Sequence, residues 1–138
     1  MVNNDVLLNK VTIIERCIKR IQEVYANNPG NLKDITKQDS IILNIQRACE
    51  ASIDIGMHIV SERRLGLPKS SRETFKLMEG AGIINQSSAK ALMNMVGFRN
   101  IAIHDYQKID LDILQAIIEK HLSDFTDYTK VILHLPNE

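Results

Sequence analysis

Residues 41–65, IILNIQRACEASIDIGMHIVSERRL, carry the longest run of helical periodicity in this chain of 138 residues. Apolar or small side chains recur there at alternating four- and three-residue steps, which predicts one buried face of an α-helix. Gly56 lies inside the stretch and indicates close packing against a neighbouring helix rather than a kink. The stripe consists of Ile41, Ile45, Ala48, Ser52, Ile55 and Ile59.

Capping residues predict where this helix begins and ends. Thr36 with Asp39 three residues later resembles a capping box at its start. Gly66 followed by Pro68 predicts that the helix stops near Leu65. The helix is then about 28 residues long, which at about 1.5 Å per residue is about 42 Å.

On the N-terminal side, a similar stripe predicts a first helix of about 20 residues. It runs from about Leu7 to Tyr25 and stops at Asn27-Asn28-Pro29-Gly30, because Pro and Gly interrupt a helix. Residues 31–36 are expected to form a loop. No segment of the chain alternates with the period of two that is typical of a strand.

On the C-terminal side, capping residues divide the chain into further helices. Ser70 is predicted to cap a short helix to about Glu79, Ser87 or Ser88 a fourth helix, and Asp110 the last one. The stripe of the last helix is expected to be Leu111, Leu114, Ile118, His121, Phe125, Tyr128 and Ile132.

These segments together predict an all-α fold, an antiparallel bundle of four to five helices in a single domain of residues 1–138. The stripes of the first and last helices resemble coiled-coil seams, and part of them could face a second subunit. The sequence therefore favours a bundle that dimerises.

Composition excludes several classes of protein. The formal net charge is 0, aromatic residues make up 4% and Trp is absent, so neither bulk polyanion binding nor an aromatic stacking platform is expected. Cys17 and Cys49 lie at apolar helical positions, which predicts buried reduced thiols rather than a disulfide or zinc site. With no signal peptide and no apolar run long enough for a membrane span, the chain is expected to be cytoplasmic.

Residues 99–106, RNIAIHDY, combine an arginine, a histidine and a tyrosine at the end of an apolar helical run. Histidine can take and give a proton near neutral pH, and the planar arginine fork suits phosphate. A base and a phosphate-binding cation are the minimum for breaking a phosphodiester without a metal. Of the four histidines, His58 and His121 lie among helical positions typical of packing, and His134 has no distinctive neighbours.

Helical geometry separates the two catalytic candidates. His104 lies five residues after Arg99, which is about 140° around a helix. Either the helix ends near His104 and its ring turns toward Arg99, or the two groups meet across a subunit interface. Two facing copies would also supply a histidine as base and another as acid for cleavage. Asp105 and Asp110 flank the segment and are candidates to orient His104, although capping and solvated roles suit both.

The spacing of Arg99, His104 and Tyr106 resembles the Arg-x4-His-x-Tyr motif of the HEPN superfamily, in its HepT-like toxin branch. Residues 43–68 resemble the long second helix of that family, and residues 95–100, MVGFRN, resemble its usual approach to the motif. The similarity extends from the first helix to about Tyr106.

This resemblance implies the toxin of a type II- or type VII-like toxin–antitoxin pair, a homodimeric endoribonuclease that needs no metal or cofactor. Arg99 and His104 would be its catalytic residues at the dimer interface, with Asn100 and Asp105 close to the RNA substrate. The partner would be a minimal nucleotidyltransferase antitoxin that transfers AMP to Tyr106, where a bulky anion would repel RNA phosphate. The alternative is a non-catalytic HEPN module whose whole role is to bind a nucleotidyltransferase.

Overall fold

Two long helices, α1 (Asp5–Tyr25) and α2 (Ile35–Glu62), form the central pair in the computed structural model, which describes residues 4–136. They are antiparallel, because Lys10 near the start of α1 makes an ion pair of 2.9 Å with Asp54 near the end of α2. The predicted domain also includes residues 1–3 and 137–138, which lie outside the described residues.

The remaining elements follow with short connections and include no strand in the described part of the chain. The predicted all-α fold is confirmed, with the last helical segment built from three consecutive pieces. The helices are α3 (Ser71–Gly80), α4 (Gln86–His104), α5 (Leu111–Ala116), a π-helical turn (Ile117–His121) and α6 (Leu122–Leu133), and 3-10 turns occupy Pro29–Lys33 and Tyr106–Lys108.

Helix α2 is the hub of the bundle, in contact with α1, α3 and α4, while α6 packs on α1 and α4. The hydroxyl of Tyr128 on α6 donates a hydrogen bond of 2.9 Å to the Ser52 carbonyl of α2. One contiguous core runs through these contacts, and both Cys17 and Cys49 are buried in it as free thiols. Within residues 4–136, no helix is long and apolar enough to cross a membrane.

Helix α2 has the predicted length but begins and ends earlier than predicted. Asp34, not Thr36, is the N-cap, and its carboxylate accepts a hydrogen bond of 3.0 Å from the Lys37 amide. The helix ends because Arg64 adopts a left-handed φ of 53°, so that the Leu65 amide bonds back to the Val60 carbonyl. This is a Schellman ending, and it precedes the predicted stop at Gly66.

The other predicted boundaries are met in part. Ser70 caps α3 and Asp110 caps α5, as predicted. The cap of α4 is Asn85, whose side chain accepts from the Ser88 amide at 2.8 Å, so the prediction of Ser87 or Ser88 is wrong. The predicted loop at residues 31–36 is also wrong, since a 3-10 turn and the first residues of α2 occupy it.

The π-helical turn explains why one predicted core position faces solvent. A π turn inserts one extra residue and so changes which of its side chains faces the core. The buried position therefore moves from His121, which is exposed and lies 3.0 Å from an Asp124 carboxylate oxygen, to Leu122, which is buried. The prediction that His121 packs in the core is wrong, and so is that for Leu111, which is 37% exposed at the first residue of α5.

Gly56 lies where α2 meets α3 and α6, as its position in the sequence predicts. A Cβ atom there would come within 2.8 Å of the Thr74 methyl group and 3.0 Å of the Met78 sulfur. We expect Gly56→Ala to lower the free energy of unfolding by about 1–3 kcal/mol, because overpacking outweighs the gain in helix propensity. Gly80→Ala is the matched control, since a Cβ at the last residue of α3 meets nothing within 4 Å.

Equilibrium urea unfolding of the wild type and both glycine variants measures this difference. The Gly80→Ala variant should be as stable as the wild type or more stable, because it gains helix propensity without a clash. Equal stability of the Gly56→Ala and Gly80→Ala variants would show that the contact of α2 with α3 tolerates a methyl group.

Candidate active site

The segment of residues 99–106 lies where α4 ends and the chain turns. The last helical residue is His104, and Asp105 leaves the helix with φ −154° and ψ 50°. Its amide still donates to the Ile101 carbonyl, and the 3-10 turn Tyr106–Lys108 follows directly. The helix thus ends at His104, which meets one part of the first predicted geometry, while no contact of the His104 ring with Arg99 is present among residues 4–136.

Arg99 points toward α2 and α3 and is only partly exposed. Its Nη2 donates a hydrogen bond of 3.3 Å to the Ser71 hydroxyl at the start of α3. Burial raises the pKa of the Cys49 thiol on α2 to about 12, and the charge of Arg99 opposes that rise. The Nε atom of Arg99 is buried, and within residues 4–136 it has no hydrogen-bond partner. An unpaired buried donor costs about 1–3 kcal/mol, so a function is a better explanation for Arg99 than stability.

His104 projects into solvent from the last turn of α4. Among residues 4–136 its ring makes no hydrogen bond and no ion pair, so both nitrogens are open to a ligand. The carboxylate of Asp105 accepts a hydrogen bond of 2.6 Å from the side-chain amide of Gln107 and makes an ion pair of 3.0 Å with Lys108. The carboxylate of Asp110 caps α5. Neither acid holds the His104 ring in the described chain.

The other histidines each have a partner, which distinguishes His104 from them. The ring of His58 lies 3.1 Å from the Asn4 amide, that of His121 contacts Asp124, and that of His134 lies 2.8 Å from a backbone carbonyl. In the described part of the chain, no three His, Cys, Asp or Glu side chains lie close enough together to hold a metal ion.

Tyr106 is hydrogen-bonded to α2. Its hydroxyl donates a hydrogen bond to the carboxylate of Asp39, which is 67 positions away in the sequence. Partial burial raises the pKa of Tyr106 to about 12, and the hydrogen bond and negative charge of Asp39 add to the rise. Tyr106 is therefore a neutral phenol near neutral pH. The sequence predicts only a capping role for Asp39, because no local pattern links positions so far apart.

The motif residues thus do not form one cluster, because Arg99 and Tyr106 lie against different parts of α2. Arg99 lies near Cys49 and Tyr106 near Asp39, and these two α2 positions are about 15 Å apart along the helix axis. His104 lies between them in the chain, about 140° around α4 from Arg99. Asn100 is partly exposed beside Arg99, and its side chain makes no hydrogen bond within residues 4–136.

A family model described as ribonuclease HepT-like matches residues 14–132. The chain belongs to the HepT-like ribonuclease family. It is 49% identical over 129 residues to the mRNA nuclease HepT of Shewanella oneidensis, an alignment that covers 94% of this chain and 97% of the relative. The family predicted from the motif and from residues 43–68 is confirmed, and so is the endoribonuclease class of activity.

Solved structures of similar proteins have the same fold. A chain of a toxin–antitoxin crystal structure with AMP-PNP superposes with a TM-score of 0.93 at 47% identity, over 96% of this chain and 100% of that one. A tri-AMPylated HEPN toxin of Shewanella oneidensis in complex with its MNT antitoxin gives 0.92 at 48% identity, with the same coverage. The predicted HEPN-like bundle is confirmed.

Exposed apolar or aromatic side chains flank His104 in the sequence of this HepT-like chain, and one lies on the face of α2 that Tyr106 contacts. Ile103 is 43% exposed, Leu43 42% and Tyr106 40%. Leu43 lies one turn after Asp39 on α2 and so shares the face that Tyr106 contacts. A histidine with apolar neighbours on an outer surface suits an interface between two copies.

Proposed function

We propose that this HepT-like chain is the toxin of a toxin–antitoxin pair and cleaves RNA, without metal or cofactor, in a cleft between two copies. The observation that carries the proposal is His104, an unpartnered ring at the end of α4 that follows a partly buried Arg99. The chain would act as one domain of residues 1–138. Its place of action would be the cytoplasm, where RNA and the antitoxin are present.

The proposed reaction is transesterification. His104 of one copy takes the proton from the ribose 2′-hydroxyl, whose oxygen attacks the adjacent phosphorus. Arg99 binds the phosphate and stabilises the negative charge that develops on its equatorial oxygens. A second histidine, from the facing copy, gives a proton to the leaving 5′-oxygen. The products are a 2′,3′-cyclic phosphate and a free 5′-hydroxyl, with Asn100 and Asp105 close to the RNA.

A single chain is a poor site for this reaction, which supports the cleft. His104 is exposed and Arg99 is half-buried about 140° away around α4, so one chain does not place both groups on the same face of the helix. A facing copy brings a second pair to the exposed surface around Leu43 and Ile103. Two histidines then flank one phosphate, as acid–base catalysis needs.

We further propose that a minimal nucleotidyltransferase is the antitoxin of this chain and transfers AMP to Tyr106. The similar solved toxin that is AMPylated and bound to an MNT antitoxin supports this assignment. Tyr106 is 40% exposed and lies two residues after His104, so an adenylyl group there would add negative charge beside the cleft. That charge would repel the RNA backbone and block cleavage.

Cleavage of total RNA in EDTA tests the nuclease proposal. We expect the wild type to cleave, with 2′,3′-cyclic phosphate ends, and His104→Ala to be at least about 100-fold slower. Equal cleavage by both proteins would contradict the role of His104, and products with 5′-phosphate ends would contradict the transesterification. If neither protein cleaves, and mass spectrometry finds Tyr106 unmodified, the binding-module alternative is favoured.

A further inference from the structure

The contact between Tyr106 and Asp39 has a chemical consequence for the proposed AMP transfer. The phenolic hydroxyl of Tyr106 donates directly to the carboxylate of Asp39 at the start of α2. Both residues are exposed, so an incoming nucleotide can reach the pair from solvent. The carboxylate accepts no other hydrogen bond within residues 4–136.

A neutral phenol is a weak nucleophile, and Tyr106 is held in that form. Its partial burial and the adjacent carboxylate raise the pKa of Tyr106 to about 12, far above neutral pH. Transfer therefore needs a group that accepts the proton while the new bond forms, and such a base must lie within hydrogen-bond reach of it. Among residues 4–136, Asp39 is the group in that position.

We propose that Asp39 is the general base for nucleotidyl transfer to Tyr106, an inference that rests on Tyr106 being the acceptor in the proposed function. The phenolic oxygen attacks the α-phosphorus of a nucleoside triphosphate, and its proton moves to the Asp39 carboxylate. The bond between the α-phosphorus and the bridging oxygen breaks, and pyrophosphate leaves. Asp39 then gives its proton to water. The modified chain thus supplies a catalytic group for its own modification.

Asp39→Asn is the sharpest variant for this proposal. The amide has the shape of the carboxylate and can still accept a hydrogen bond from Tyr106, but it cannot take the proton. A general base contributes about 100-fold or more to a rate. We therefore expect kcat for transfer to fall about 100-fold while KM for this chain stays the same. Asp39→Glu keeps a carboxylate on a longer arm and should recover part of the rate.

Asp54→Asn is the matched control, because Asp54 is an exposed acid on the same helix whose ion pair is with Lys10 on α1. The full-length variants are mixed with the minimal nucleotidyltransferase and Mg-ATP, and intact-mass spectrometry follows the addition of AMP with time. Far-UV circular dichroism melts show whether each variant is folded. Asp54→Asn should be modified at the wild-type rate.

The Tyr106→Phe variant separates failure of this inference from failure of the proposed function. Modification of Tyr106→Phe at the wild-type rate, or no modification of the wild type, would overturn the acceptor itself. If Tyr106→Phe is not modified but Asp39→Asn is modified as fast as the wild type or faster, only the role of Asp39 is overturned. A rise in KM with unchanged kcat would also overturn it, because it would show that Asp39 serves docking alone.

Discussion

Arg99→Met is expected to slow RNA cleavage by about 100- to 1,000-fold, because it removes the donors that stabilise charge on the phosphate. The same change should leave the free energy of unfolding unchanged or raise it by up to about 2 kcal/mol. The Nε atom of Arg99 is buried without a partner in the described chain, and methionine removes both this unpaired donor and a partly desolvated charge. The unbranched methionine side chain can occupy the space beside Cys49.

The Arg99→Met substitution removes the hydrogen bond between Arg99 and Ser71. It is long, at 3.3 Å, and the Ser71 side chain is partly exposed, so its hydroxyl can bond to water instead. Initial cleavage rates and equilibrium urea unfolding measure the two effects on one preparation. Arg20→Met is the matched control, because Arg20 is an exposed arginine on α1 and its loss should change stability by no more than about 0.5 kcal/mol.

Two results would contradict this view of Arg99. If Arg99→Met cleaves RNA within a few-fold of the wild type, the guanidinium does not bind the phosphate. If the variant loses more than about 2 kcal/mol of stability, Arg99 is a structural residue that links α4 to α3. A gain in stability with a loss of cleavage is the pattern expected of a residue retained for function.

The sequence predicted the helices well because their signal is periodic and local. The buried stripes of α1 and α2 follow directly from residue spacing, and Ser70 and Asp110 cap the helices they were expected to cap. The failures at Asp34 and Asn85 have a common cause. Several Ser, Thr, Asp and Asn residues lie in succession at both places, and tertiary packing decides which of them leaves the helical conformation first.

The π-helical turn of residues 117–121 was beyond sequence reasoning for a different reason. Its residues are ordinary helix formers, and apolar side chains are available in both registers on either side. The hydroxyl of Tyr25 on α1 donates to Glu119 within this turn, and that contact exists only after the helices pack. The amino-acid sequence alone therefore does not indicate where the helical register changes.

The roles of the candidate site residues stay a prediction from the sequence, and their arrangement could not be predicted from it. The order Arg99, His104 and Tyr106 follows from the motif, and α4 ends at His104 as one of the two geometries requires, but no contact joins the His104 ring to Arg99 in the described chain. The partners Ser71 and Asp39 come from other helices, and no local spacing points to them. Long-range contacts of this kind depend on how the helices pack, which the sequence of one chain encodes only indirectly.

A mixed dimer with one wild-type copy and one His104→Ala copy is expected to cleave RNA about 100-fold more slowly than the wild-type dimer. Cleavage in the proposed cleft uses one histidine as base and the other as acid, and either loss costs about 100-fold. If each copy instead had its own complete site, the mixed dimer would keep half of the activity. The two mechanisms therefore differ by about 50-fold in the expected rate.

Co-expression of two copies with different affinity tags, followed by purification on both tags, gives the mixed dimer. Wild-type copies carrying the same two tags are the control for the tags, and native mass spectrometry checks that subunits have not exchanged during the assay. Half activity would show that the two sites are independent, and a fully active monomer would remove the need for a cleft. A rate about 100-fold below that of the wild-type dimer is the result expected if a single phosphate is cleaved between His104 of one copy and His104 of the other, because one α4 carries only one such ring.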